Sequence, residues 1–169
     1  MATIHTVIAV ATAKGWFMQQ MDVKNAFLQG VLQEEVYVEQ PPGYEDGKHP
    51  DYVCHLCKAL YGLKQAPRAW HDKTTEYLLR IGFCMSHADH SLYVRQSDAG
   101  FVLITIYVDD LIIVGDNEIE IEHVKGLLKK EFEMKDLGEL RYFLRLEGLK
   151  KMKKSNLPLA IVTRIQDVD

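Results

Sequence analysis

"ITIYVDDLIIVGD", residues 104–116, sets two adjacent carboxylates, Asp109 and Asp110, in the middle of a nearly apolar run. Ile104, Ile106 and Val108 precede them, and Leu111, Ile112, Ile113 and Val114 follow. A continuous core strand would not carry two like charges at its centre, because burying one unpaired carboxylate is already costly and two repel each other. The pattern therefore reads as two strands joined by a tight hairpin with the Asp pair at its tip, where solvent lowers the cost. Divalent cations would offset the remaining repulsion. Mg²⁺ is suited to this, because it takes carboxylate oxygens, phosphate oxygens and water.

Upstream, "WFMQQMDV" (16–23) reads as a second strand running into a carboxylate, Asp22. If the two strands are sheet neighbours, Asp22 and Asp109 converge. Two metal ions about 3.5–4 Å apart on shared carboxylates can clamp the attacking and leaving oxygens of a phosphoryl transfer. The competing reading is that "DD" is ordinary turn chemistry. Against it stand the aromatic before the pair, the strands on both sides, and Phe27 following a second strand-end Asp.

The rest of the chain alternates helices with hairpins. Residues 3–14 have helical spacing, with Ile4, Val7, Ile8 and Ala11 on one face, and Gly15 ends the helix. "NAFLQGVL" (25–32) is a short helical turn. "EEVYVEQPPGYEDG" (34–47) is a strand ended by Pro41-Pro42, and "YVCHLCKALYGL" (52–63) is a second short strand. Pro67 opens a helix over 67–82 with Ala69, Trp70, Thr74, Tyr77, Leu78 and Ile81 inward. "SLYVRQS" and "FVLITIYV" read as strands around Ser97–Gly100. Residues 117–132 form an amphipathic helix with Ile121, Val124, Leu127, Leu128 and Phe132 inward. "LRYFLRLEGL" (140–149) reads as a strand, and "KKMKKSNLPLAIVTRIQDVD" (150–169) as a basic and apolar tail. The fold class is α+β, with helices packed on one face of a small antiparallel sheet.

The 169 residues suffice for one domain with a real core. With 47% apolar and 26% charged residues and a net charge of −4, nothing advertises a globally basic surface. A polymerase needs only a local basic groove, so nucleic acid is not excluded. No apolar run reaches the about 20 residues of a membrane span. Three cysteines point to a reducing compartment. "CHLC" (54–57) lacks the second ligand pair of a zinc site, and reads instead as a strand with Cys54 and Leu56 on one face.

The motifs "QMDVKNAFLQG", "EEVYVEQPPGY", "KALYGLKQAPRAW", "ADHSLYV", "IYVDDLIIVG" and "EFEMKDLGELRYFL", in this order, resemble the reverse transcriptase of copia-type LTR retrotransposons, above all plant ones. The resemblance spans roughly residues 3–149. It implies a polymerase palm with a ferredoxin-like β-α-β-β-α-β core over 1–149, and Mg²⁺ or Mn²⁺ as two ions. Asp22, the Val23 carbonyl, Asp109 and the more peripheral Asp110 would be the metal ligands, and the three carboxylates the catalytic groups. Phe27 would stack under the incoming sugar and exclude a 2′-hydroxyl. Tyr61, Gly62 and Lys64 would support the nucleotide base and template, and Tyr107 and Val108 would face primer and nucleotide. Lys135 lies where polymerases carry a general acid that protonates pyrophosphate. Plainer readings stand beside these: Phe27 as core, Lys64 as a surface lysine, and "EMKDLG" around Lys135 as a helix-to-strand turn.

Two departures from the family pattern bear on function. Only one helix and one strand precede Asp22, so the resemblance implies that the fingers are largely missing, and the thumb absent. Arg145 stands in "YFLRLEG" where the family has Gly. The function expected is template-directed transfer of dNMP from a dNTP to a primer 3′-OH on an RNA or DNA template, inside the cell, with no membrane partner. Weak activity is the expectation for such a fragment, with dimerisation or polyprotein segments supplied in trans as remedies. The alternative is a catalytically inactive, retrotransposon-derived domain that binds nucleic acid or protein.

Overall fold

The computed structural model describes residues 2–140. The expected strand over 140–149, Arg145 in it, and the 150–169 tail lie outside the described residues. The described residues divide into two compact units, one built from residues 2–24 and 81–140 and the other from 25–80.

The first unit contains helix α1 (Ala2–Lys14), strand β1 (Phe17–Val23), strands β4 (Cys84–Met85), β5 (Leu92–Ser97), β6 (Gly100–Tyr107) and β7 (Asp110–Gly115), helix α4 (Glu118–Glu131) and strand β8 (Met134–Glu139). The strands form one six-stranded sheet in the order β4-β5-β6-β7-β1-β8, and every pairing in it is antiparallel. The apolar run over 104–116 is thus a hairpin of β6 and β7, with Tyr107 and Asp110 as the closing pair.

Strand alternation sends neighbouring residues of β1 to opposite faces, and each face has its own helix. On one face Ile4, Val7, Ile8 and Ala11 of α1 pack with Leu103, Ile112 and Val114. On the other, α4 buries Ile121, Val124, Lys125 and Leu128. There Lys125 reaches Gln19 of β1 and Asp136 of β8, and Arg95 of β5 pairs with Glu120. The expectation of helices on a single face is therefore corrected. Hydrophobic spacing tells which side of a helix is apolar, but not which face of the sheet it covers.

"EMKDLG" is also corrected. It is not a helix-to-strand turn but the edge strand β8, paired along β1 from Val23↔Met134 to Gln19↔Glu139. A register shift between Gln20 and Met21 makes Leu137 the extra residue, and Gly138 takes a φ of 76° beside it. Bulges of this kind recruit glycine because a Cβ penalises that conformation. Asp and Gly in one short stretch therefore signal a bulged strand here as well as they would a turn.

The second unit contains the short helix α2 (Ala26–Gln29), strands β2 (Tyr37–Glu39) and β3 (Val53–His55), and helix α3 (Ala66–Arg80). β2 and β3 pair antiparallel, with Cys54 opposite Val38. Cys54 and Leu56 are half-buried on one face, whereas Cys57 is exposed. α3 buries Ala66, Trp70, Thr74, Tyr77 and Leu78, and the Thr74 hydroxyl donates to the Trp70 carbonyl at 2.6 Å.

Candidate active site

β1 ends in Met21-Asp22-Val23. Met21 and Val23 are buried on the α4 face, and the intervening Asp22 projects from the opposite face. Asp22 lies directly opposite Asp110 of β7 on one side and Lys135 of β8 on the other. Directly opposed residues have Cβ atoms about 4.5–5.5 Å apart and share a face. Asp110, Asp22 and Lys135 therefore form a row across three strands.

Asp109 occupies the two-residue tip with Val108. Its carbonyl accepts a 2.7 Å hydrogen bond from the Val23 N–H, which ties the hairpin tip to the end of β1. Oδ1 of Asp109 is withdrawn from solvent. Val108 has a φ of 54° and is about half exposed. A β-branched residue in the left-handed region is strained, at a cost of about 1–3 kcal/mol. Tyr107, which precedes it, is also partly exposed. Among the described residues no three His, Cys, Asp or Glu side chains converge as a set able to hold a metal ion. The backbone brings Asp22, Asp109 and Asp110 to neighbouring positions, and the side chains do not complete a cage. Carboxylates repel one another, and Asp110 is engaged elsewhere: its Oδ1 accepts from Gln20 Nε2 at 2.9 Å. The donor set, all hard oxygens, fits Mg²⁺ or Mn²⁺, which keep water and substrate oxygens in their shell.

Sequence reasoning missed Gln20, although its place two residues before Asp22 puts it on the same face. It also missed Lys125, buried at 3% exposure beneath β1 and β8. Lys125 Nζ donates to Glu122 at 2.6 Å, lies 2.9 Å from Asp136 Oδ2, and reaches Gln19 Oε1 at 3.4 Å. Burial alone would raise the Asp136 pKa, but hydrogen bonds from Lys129, Lys125 and the Gly138 N–H outweigh it and hold the carboxyl at about 2. Burial likewise works against the Lys125 charge, yet Glu122 and Asp136 leave it above its ordinary value.

In the second unit, Phe27 is buried and its ring centroid is 4.4 Å from that of Tyr61, with the planes at 50°. Tyr61 is more than half exposed. Gly62 follows with a φ of 95° and no protein atom within 4 Å of where a Cβ would sit, so its backbone conformation, not crowding, calls for glycine. Lys64 is exposed two residues on. Phe27, Tyr61 and Gly62 thus do come together locally, as an aromatic pair beside a left-handed turn.

The family profile described as reverse transcriptase (RNA-dependent DNA polymerase) matches residues 1–163. The chain belongs to the reverse transcriptase family. It is 46% identical over 146 residues to the retrovirus-related Pol polyprotein from transposon RE2 of Arabidopsis thaliana, covering 86% of this chain and 10% of the relative. With the corresponding polyprotein from transposon RE1 of the same plant it is 48% identical over 146 residues, with the same coverage. With that from transposon TNT 1-94 of Nicotiana tabacum it is 38% identical over 161 residues, 95% of this chain and 12% of the relative. The relatives are Pol polyproteins of plant copia-type transposons, and the chain spans about a tenth of their length. No helix among the described residues is long and apolar enough to cross a membrane.

Proposed function

We propose that residues 1–149 carry the palm segment of an RNA-directed DNA polymerase, which transfers dNMP from a dNTP to a primer 3′-OH. The observation that carries this reading is the facing pair Asp22 and Asp110, with Asp109 hydrogen-bonded through its carbonyl to the Val23 N–H. The order of elements supports it. With α2, β2, β3, β4 and β5 passed over as insertions, the chain order β1, α3, β6, β7, α4, β8 reads β-α-β-β-α-β, and the four strands are consecutive in the sheet as β6-β7-β1-β8.

Asp22, Asp109 and the Val23 carbonyl, with Asp110 at the periphery, would hold two Mg²⁺ or Mn²⁺ ions, which when bound neutralise phosphate charge and lower the pKa of the attacking hydroxyl. The remaining roles belong to side chains. In the reaction the primer 3′-hydroxyl gives up its proton to solvent, its oxygen forms a bond to the α-phosphorus, the α–β bridging P–O bond breaks, and pyrophosphate leaves. Lys135, across the strand from Asp22, is the candidate that gives the leaving group a proton. Its ammonium also offsets the Asp22 charge. Phe27, backed by Tyr61, leaves no volume for a 2′-hydroxyl. Tyr61, Gly62 and Lys64 take the nucleotide base and template, while Tyr107 and Val108 at the hairpin tip meet the primer end.

Primer extension on an oligo(dT)-primed RNA template tests the proposal. Synthesis that depends on Mg²⁺ or Mn²⁺ and is abolished by Asp109→Asn is the expected result. Salt-dependent nucleic-acid binding with no synthesis would refute it in favour of a non-catalytic binding module.

A further inference from the structure

β8 carries Lys135 opposite Asp22, yet little within the strand itself holds it there. Phe132 and Leu140 are buried on either side of it. Between them Met134, Asp136 and Gly138 are half-buried, and Lys135, Leu137 and Glu139 are exposed. No fully buried side chain fixes the register, and the strand is bulged. Register matters because side chains alternate, so a slip of one residue in either direction would send Lys135 to the α4 face. What opposes a slip is Asp136. Its Oδ1 accepts from the Gly138 N–H at 2.9 Å, which closes the bulge over Leu137. Its Oδ2 lies 2.9 Å from Lys125 Nζ and 2.7 Å from Lys129 Nζ, both on α4. Lys125 is buried, pairs with Glu122 at 2.6 Å, and reaches Gln19 Oε1 of β1 at 3.4 Å. One ammonium thus ties α4 to both β1 and β8.

We propose that Lys125 is a positioning residue for Lys135, latching Asp136 so that β8 keeps the register that sets Lys135 across from Asp22. The inference rests on the reading of Lys135 as the group that protonates pyrophosphate. Lys125 stands on the opposite face of the sheet and acts through Asp136, the next residue of the strand. An apolar contact would tolerate a slip, because one apolar side chain can stand in for another. A buried ammonium does not. A slip in one direction would set Leu137 opposite Met21, where Asp136 now meets Lys125, and a slip in the other would set Lys135 there. Neither can pair with an ammonium, so each slipped register leaves a buried charge short of its partner. Buried polar groups that fix register in this way exact a cost for every wrong pairing.

Amide hydrogen exchange of the full chain, followed by NMR, tests the latch. The proteins compared are the wild type, Lys125→Met, and Val114→Ala, a core truncation on the α1 face that weakens the fold away from the latch. Asp136→Asn, which keeps the shape and removes the charge, takes the place of Lys125→Met if that variant does not fold. In Lys125→Met the β8 amides and the Leu140 N–H, which donates to the Met18 carbonyl, should exchange about tenfold faster or more. In Val114→Ala they should exchange at the wild-type rate. Exchange in β8 that is unchanged in Lys125→Met, or raised equally in both variants, would overturn the latch. Primer extension then tests what the latch serves. Lys135→Gln and Lys125→Met should lower kcat by similar factors with the KM for dNTP little changed, and the double variant should be no slower than Lys135→Gln alone. Losses that multiply in the double variant would overturn the positioning role. A wild type that makes no product, or one whose rate is matched by Lys135→Gln, would overturn the reading of Lys135 as general acid, while the exchange rates decide the latch by themselves.

Discussion

Replacing Lys125 by Met should be among the most destabilising changes available in the sheet unit. Lys125 is almost wholly buried, and its ammonium sits 2.6 Å from Glu122 and 2.9 Å from Asp136. Methionine preserves most of the aliphatic stem and removes only the charge. Deleting one member of a buried ion pair costs about 3–5 kcal/mol when the other is left unpaired. Here Asp136 keeps Lys129 at 2.7 Å and the Gly138 N–H at 2.9 Å, so the loss should be smaller, about 2–3 kcal/mol. Glu122 is half exposed, and water screens its share.

The pH dependence provides an independent check. The Asp136 carboxyl is held at about 2 against an ordinary 3.8. That difference corresponds to about 2.5 kcal/mol, at about 1.4 kcal/mol per pH unit of displacement. Because the folded-state value is the lower one, this stability is fully present above pH 3.8 and is lost as the pH falls from there toward 2. Lys125 is displaced the other way, so its contribution is present below its ordinary value of 10.5 and lost as the pH rises beyond it. Urea unfolding at pH 7 and at pH 2.5, followed by circular dichroism, measures the acid effect. In Lys125→Met the deficit should be larger at pH 7 than at pH 2.5, where part of the stability that the ionised Asp136 contributes has been lost. A deficit below about 0.5 kcal/mol at pH 7, or one unchanged between the two pH values, would show that the network does not stabilise the fold as argued.

Val108→Gly should leave the melting temperature unchanged or raise it, by the equivalent of about 0.5–1 kcal/mol, because glycine relieves the left-handed strain at the hairpin tip. A clear drop in thermal melting would show that the Val108 side chain is stabilising where it stands. Phe27→Val should raise ribonucleotide incorporation relative to deoxyribonucleotide incorporation in a primer-extension competition. Unchanged selectivity in an active variant would reduce Phe27 to a packing residue.

What the sequence made legible follows from where a residue pattern violates a simple rule. Asp22, Asp109 and Asp110 stood out because charges at the ends of apolar runs are costly, and both strands and the hairpin were found where that cost predicted them. The helices were legible from their spacing, and so were most of their inward residues. Their distribution over the two faces of the sheet was not, because amphipathicity carries no such information. β8 stayed open to a turn reading because Asp136 and Gly138 are turn formers by type, and only pairing with β1 reveals the bulge. Lys125 falls in the inward series Ile121, Lys125 and Leu128 on α4. That position was a usable signal, masked by the habit of counting lysine as surface.

The two faces of β1 and its neighbours treat their charges in opposite ways. On the α4 side, Asp136 is matched by two lysines and a backbone N–H, and the buried Lys125 by two carboxylates and an amide oxygen. A charge kept for stability is enclosed and compensated in this manner. On the α1 side of the same strands, Asp22 and Asp110 face each other at adjacent positions. The partner of Asp110 is the uncharged amide of Gln20, and the lysine in the row stands on an exposed edge strand. A fold that can compensate Asp136 so fully could have done the same for Asp110 with a Lys or Arg at position 20. Glutamine there leaves the negative potential of the row available to a ligand. That contrast, within one strand and across one residue of alternation, is the strongest physical reason to read the carboxylate row as a site for cations.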